Sequence, residues 1–468
     1  MALPQAASAL KRPSKTPPSA PGTPTVLPLH QRILFPPSSS ARPPRILHSA
    51  AHTTLDPLIL DLIALSLRAY VTPWYNGGIS RDPERAFLQA VAAVLVHVVQ
   101  ALEVRLATVD WAHLLARDVP ELVAAHYRDW DLANQRAGSG SAHNLSPEQL
   151  FHNLQPHIAI SLASAPIASS SSKASVPHVD KVYLGTLVDH LLRLLLPPED
   201  YRAETERGIV REMFVGVVFG AVLNRVAQPW FLHGIIARQL EAAEAARRAS
   251  AADALAGVAD KASRPTGGVD KVAVALISIP ARLLSLISAV STFSSSSLPT
   301  DAAARPPLYP SLLGLVSAVL PYSAFLATFL SLVSVPLAFL STRLDWWLAR
   351  SVDRAMSAST VRGIVEGAVR GMFPCDGWPA TKEDDPDDEA QEALRLRCEE
   401  ALARSLPDAF PILVLTSLAT DEPNPRLALA RHVLRPLSSH VANVHLFVLL
   451  IDLVVGRLFP ELVVPPAE

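Results

Sequence analysis

Cysteine is the scarcest chemistry in this chain of 468 residues. Cys375 and Cys398 are the whole supply, too few for a disulfide framework or a multi-cysteine metal site, and they suit a reducing compartment as two unpaired thiols. An excess of either charge is also missing. The 41 Lys and Arg against 43 Asp and Glu leave a formal net charge of −2, which gives nucleic acid no electrostatic footprint to meet. There is no Gly-x-Ser-x-Gly elbow, no His-Glu-x-x-His pair and no dinucleotide fingerprint, so the reading is of a non-enzymatic protein without a cofactor. "AGSGSAHN" and "ASSSSKAS" are polar interruptions and not phosphate-cradling loops, because neither continues into Gly-Lys-Ser/Thr and no strand is expected before them.

Acidic residues are absent from residues 1 to 55, where Lys11, Arg12, Lys15, Arg32, Arg42 and Arg45 stand among many Pro and Ser. Such a segment buries too little apolar surface to offset its ordering entropy, so residues 1–54 read as a disordered basic tail able to touch anionic lipid weakly. It has no uninterrupted apolar stretch of the signal-peptide kind.

What is present is apolar periodicity. Half of the residues are hydrophobic, and the mean hydropathy is +0.26. Leu58, Leu62 and Leu65, then Phe87, Val91, Val94, Val98 and Leu102, recur at helical spacing. "TPWYNGG" predicts a turn at Pro73, Gly77 and Gly78, and "DPERAF" a new helix capped by Asp82 with Pro83 in its first turn. Helices are expected to restart at Ser146, to stop at Leu196 before Pro197 and Pro198, and to run from about Ala203 to Pro229. The fold class is all-α.

Three blocks in order, "WYNGGISRDPERAF", "VDWAHLLARDVPELVAAHYRDW" and "LLPPEDYRAETERGIVREMFVGVVFGAVLNRVAQPWFL", resemble the PXA (PX-associated) domain of the sorting-nexin family and its fungal relatives. The resemblance covers residues 55–242 and is carried by Trp74, Tyr75, Phe87, Pro197, Glu206, Arg211, Glu212, Pro229 and Trp230. Residues 341–463 resemble the sorting-nexin C-terminal domain, through Trp346 and Trp347, Phe373 and Pro374, Leu406 and Pro407, and the closing Pro460, Glu461 and Leu462. Residues 243–310, a linker with one apolar or amphipathic helix, and the apolar segment 311–340 are too short and of the wrong composition for a PX or a regulator-of-G-protein-signalling domain. The resemblance implies two helical domains packed together, an apolar interior that holds or passes lipid, and work at endoplasmic reticulum, endosome or vacuole. The alternative it leaves open is a scaffold that recruits trafficking proteins to such a membrane. Phospholipid or a bilayer is the expected partner, with other trafficking proteins beside it.

Residues 311–340 hold no charged side chain, and such a stretch exceeds the roughly 20 residues that cross a hydrocarbon core. Pro310, Pro321 and Pro336 interrupt it. Three placements compete: a kinked span or shallow hairpin, an in-plane segment, and helices lining a lipid cavity. Two domains that must meet disfavour a single crossing. Leu312, Leu315, Phe325, Phe329, Leu332 and Phe339 are the candidate lipid- or membrane-facing residues, whereas Trp74, Tyr75, Glu206, Arg211, Glu212, Pro229 and Trp230 read chiefly as structural. Glu206, Arg211 and Glu212 suggest an ion pair fixing helix packing, with headgroup recognition as the other reading. His97, His113 and His126 lack ligand-like pairing, and "EDDPDDE" lacks the glycine and the twelfth-position Glu of a calcium loop.

Overall fold

In the computed structural model, the structure describes residues 28–35, 45–49, 54–79, 84–140, 145–166, 173–256, 307–321, 328, 330–332, 334, 337–338, 340–375, 377–379, 384–406 and 424–463. The fold is all-α apart from one small hairpin. Helices α1 (Leu29–Leu34), α2 (Asp56–Ser66), α3 (Thr72–Gly78), α4 (Ala86–Thr108), α5 (Trp111–His113), α6 (Val119–Arg136) and α7 (Pro147–Leu154) come first. The strands β1 (Ile160–Pro166) and β2 (Lys173–Val179) follow. Next are α8 (Lys181–Leu195), α9 (Pro198–Arg202), α10 (Glu204–Met213), α11 (Leu223–Val226) and α12 (Pro229–Ala256). The C-terminal part supplies α13 (Tyr309–Val319), α14 (Ser341–Ala355), α15 (Ala358–Met372), α16 (Asp388–Ser405), α17 (Pro425–Leu434) and α18 (His440–Leu458). Wider helical turns, bonded five residues apart, join α2 to α3, α5 to α6 and α10 to α11 without a break.

Several ends follow from local chemistry. Ser146 and Gln149 form a reciprocal capping box at α7. Asp180 accepts from the Val182 and Tyr183 N–H groups to start α8, which closes at Leu196 ahead of Pro197. Asp387 caps α16, and Asp385 pairs with Arg225 at 3.3 Å, so the described part of the acidic loop caps a helix and makes an ion pair.

Four expectations need correction. "TPWYNGG" is helical: Pro73 occupies the first turn, where its missing N–H costs nothing, and Thr72 Oγ1 donates to the Leu67 carbonyl at 3.1 Å. The paired glycines end that helix instead of opening a loop. Helix α4 begins only at Ala86, after Arg85 in the left-handed region at φ 58°; Asp82 and Pro83 lie outside the described residues. The Ser-rich interruption is flanked by β1 and β2, antiparallel with Ile160 opposite Val179, a pairing that no local alternation in "ISLASAP" announced. Part of the basic tail is also in the core. Leu34, Ile46 and Leu47 are buried with Leu60, Ile63, Leu88 and Val96.

Helix α18 joins the two ends of the chain. It packs on α4, α6, α7 and β2, and Trp130, Ala133 and Phe151 meet its Ala442 in one cluster. The Asn443 amide, fully buried, donates to the Ala227 carbonyl at 2.9 Å and to the Leu437 carbonyl at 2.8 Å. Asp452 accepts from the Tyr183 hydroxyl at 2.8 Å and lies 2.8 Å from His157 Nε2. Arg105 donates to the Leu458 carbonyl and pairs with Glu461 at 2.7 Å, which holds that carboxyl below its usual range. Elsewhere α12 lies along α16, where Ala237 and Leu240 meet Cys398, Ala401 and Leu402. Burial pushes the Cys398 thiol up to about 12, so it behaves as a small apolar group.

Histidines fill part of this seam. Phe151 is ringed edge-on by His126, Trp130 and His445, and His152 Nδ1 lies 3.1 Å from His445 Nε2. Burial lowers His126 from 6.5 to about 4 and His445 to about 3. An unfolded chain binds protons at these positions from about pH 6.5 downward while the folded chain does not. Stability is therefore full above that pH and falls on acidification, by about 1.4 kcal/mol per pH unit for each such histidine. Thermal denaturation between pH 7 and pH 5 should show this loss, and His126→Phe should flatten it; an unchanged slope refutes the assignment. Asn443→Ala removes the donor shared by the buried Ala227 carbonyl and the partly buried Leu437 carbonyl and should cost about 2–3 kcal/mol in chemical denaturation.

Candidate functional site

The continuous helix from α10 to α11 is the least expected surface on the molecule. Its middle, Phe214–Val222, reads "FVGVVFGAV" and contains no polar side chain. A helix apolar on every side is normally enclosed. Here only one row is enclosed: Val215 and Leu223 are buried, with Phe219 and Val210 packed beside them against α8 and α18. Ile209, Met213, Phe214, Val217, Val218 and Val222 form the opposite row, and Ile209 at 61 %, Met213 at 55 % and Val217 at 54 % exposure face solvent. Polar neighbours on α10 stop at Glu212, and the next polar side chain is Asn224.

Beneath this helix lies a small apolar pocket of about 190 Å³, walled by Val179, Leu184, Val215, Phe219, Leu223 and Val444, with His178, Lys181 and Asn224 as its polar lining. It is smaller than the 300–1,000 Å³ usual for a drug-sized ligand, so it takes part of a chain at most. The elements that share it add further exposed apolar surface, Val176 on β2 and Val182 on α8. The glycines suit a smooth outer face, since a Cβ built on Gly208 or Gly216 meets nothing within 4 Å.

The sequence-nominated residues disperse around this surface. Arg211 and Glu212 pair at 3.3 Å on α10, and Glu206 stands exposed on the same helix. A solvent-exposed pair of this kind contributes little to stability, less than about 1 kcal/mol. Tyr75 stacks on Phe87 with centroids 4.0 Å apart, and Trp74 lies in α3, its side chain outside the described residues. Pro229 opens α12, while the half-buried Trp230 sits under the Arg225 guanidinium at 5.4 Å and beside Phe231.

The apolar segment divides. Helix α13 starts with Pro310 in its first turn and ends at Leu320, before Pro321. Leu312 is buried against Ala112, Ala116, Leu344 and Leu348, and Leu315 packs beside Ala124, Tyr127 and Ala318. Leu332 is 71 % exposed; Phe325, Phe329 and Phe339 lie outside the described residues. Asp345 Oδ1, on α14, accepts from the Leu308 and Tyr309 N–H groups at 2.9 and 3.0 Å. The chain thus returns near residue 345 to the point it left at 308, which a single bilayer crossing cannot do. Trp347 packs with the same cluster, and Arg350 lies 5.7 Å over Trp346.

By length and composition, the helices Ala86–Thr108 and His440–Leu458 also pass as membrane spans, but α18 spends its buried face on the seam described above. Among the described residues no group of three or more His, Cys, Asp or Glu is arranged to hold a metal.

Comparison with known proteins places this surface in context. Residues 52–239 match the PXA domain family. The chain is 30 % identical to PXA domain protein 1 of Schizosaccharomyces pombe over 158 residues, 34 % of this chain and 28 % of that protein. It is 26 % identical to human sorting nexin-19 over 186 residues, 40 % of this chain and 17 % of the relative. It is 23 % identical to mouse sorting nexin-13 over 185 residues, 38 % and 18 % of the two chains. The match thus spans less than a third of each relative's length. No solved structure matches the chain. Residues 52–239 are thus similar to the PXA domain found in these sorting nexins, and the candidate surface lies inside the matched region.

The two rows of the helix should separate in stability measurements. Val215→Ala, facing the core, should lower unfolding free energy by about 1–2 kcal/mol. Val217→Ser, facing out, should change it by no more than about 0.5 kcal/mol while reducing binding of an apolar dye. Equal destabilisation by both would show that the outer row is covered in the folded protein.

Proposed function

Starting from a PXA domain of the sorting-nexin kind, we propose that this protein binds membrane lipid through the outer face of α10–α11 in endomembrane trafficking. The observation that carries it is the row Ile209, Met213, Phe214, Val217, Val218 and Val222, exposed on one helix. Sinking a half-exposed side chain of that size into acyl chains is worth about 1 kcal/mol, so six together supply several kcal/mol toward attachment. No catalytic group is needed. The charged residues of α10, Glu204, Glu206, Arg207, Arg211 and Glu212, stay at headgroup level while the row from Met213 to Val222 enters the acyl boundary.

The co-packing of the domains supports attachment from one side of a membrane, since α18 seals the N-terminal half and the C-terminal half into one body. The small pocket under Phe219 admits the end of an acyl chain, so extraction of a lipid would need α10–α11 to move outward from α8. Transfer between membranes is the finer step of this reading, and endosome or endoplasmic reticulum the membranes it serves.

Vesicle flotation of the full chain tests it. Wild type should float with phosphatidylcholine vesicles, and Met213→Glu with Val217→Glu should abolish flotation while leaving the circular dichroism unchanged. A wild-type chain that stays at the bottom, or a double variant that floats equally well, overturns the reading and leaves the face to a protein partner.

A further inference from the structure

A second exposed apolar surface lies where the turn after α2 meets the end of α15. Tyr70 on that turn is 64 % exposed, Trp378 47 % and Met372, the last residue of α15, 46 %. Tyr70 leans on the buried Phe373 with ring centroids 6.5 Å apart. Trp378 is presented by a tight turn in which its N–H donates to the Cys375 carbonyl at 2.9 Å. The Arg68 guanidinium lies 4.6 Å over the indole, so one face of the ring is held and the rest stays open.

The chain carries a segment whose shape suits such a surface. In "TPPSAPGTPTVLP", Pro18, Pro21 and Pro24 recur at every third residue. A polyproline II helix has three residues per turn, so these prolines form one ridge with about 9 Å between neighbours. Surfaces of exposed aromatic rings take up such ridges, since the proline helix arrives already ordered and loses little entropy on docking. The prolines lie outside the described residues, but the point where their segment joins the body is fixed. The His30 N–H and Nδ1 lie 2.9 and 2.7 Å from Asp61 Oδ1, which ties the start of α1 to α2. Leu29 lines the same pocket as Arg68, and Arg68 in turn reaches Trp378. Five residues separate Pro24 from Leu29, about 15 Å of polyproline chain, which brings the ridge from α1 toward the indole.

We propose that the ridge of Pro18, Pro21 and Pro24 docks on Tyr70, Met372 and Trp378 of the same chain, as a strap from α1 to α15. The chain's own segment is the occupant because its tether begins beside the surface, and a short tether holds a ligand at an effective concentration in about the millimolar range. The strap lies apart from the α10–α11 face and does not depend on the lipid reading.

Cys375 provides the test, since it is exposed at the edge of this surface while Cys398 is buried. In the full chain, Thr23→Cys adds a thiol within the ridge, and oxidised glutathione should join it to Cys375 inside one chain, as read by mass spectrometry of the digested protein. Pro18→Ser with Pro21→Ser and Pro24→Ser should slow that crosslink about tenfold, because the tether then acts alone. Tyr70→Ala should slow it similarly without altering the circular dichroism, its side chain being largely exposed. A rate indifferent to both changes, or no crosslink at all, overturns the proposal. A disulfide found only between two chains also overturns it and gives the surface to a second copy. Met213→Glu with Val217→Glu, placed in the Thr23→Cys chain, should leave the crosslinking rate unchanged, so the strap is judged separately from the lipid face.

Discussion

Everything in this molecule depends on α18 being buried by residues that lie more than two hundred positions away. Asn443 bonds to the Ala227 carbonyl, Asp452 takes the Tyr183 hydroxyl, and Ala442 sits against Trp130 and Phe151. A buried amide left unpaired costs as much as a lost hydrogen bond, so these contacts specify one placement of the last helix and exclude sliding alternatives. The histidines at the seam obey the same rule, since burial keeps His126 and His445 neutral at physiological pH.

A shared core of distant segments constrains whatever joins them. Helices α13 and α14 belong to one body, and the Asp345 bonds to the Leu308 and Tyr309 N–H groups tie the start of one to the other. The apolar character of residues 311–340 is partly spent inside the protein, on Leu312 and Val316. Among the described residues, a long exposed apolar row belongs instead to the C-terminal part of the PXA-matched region, where Met213, Val217 and Val218 face outward.

At α10–α11 the driving force is area removed from water, non-directional and indifferent to which lipid supplies it.

The all-α class, the stop at Leu196, the restart at Ser146 and the breaks at Pro310 and Pro321 were legible in the residues, because helix periodicity, caps and proline act within a few positions. The PXA region was legible too, from blocks such as "WYNGG" and "AQPWFL" that keep their order. Helix in "TPWYNGG", the strands flanking the Ser-rich run and the burial of Ile46 were not, since each is imposed by a distant partner: Phe87 under Tyr75, Val444 and Val448 beside Ile160, Leu60 and Leu88 around the tail. The exposed row on α10–α11 was hidden for the same reason. An all-apolar helix reads as core until the structure shows which side has neighbours. Local chemistry determined the elements; burial across the chain decided which faces were left to act.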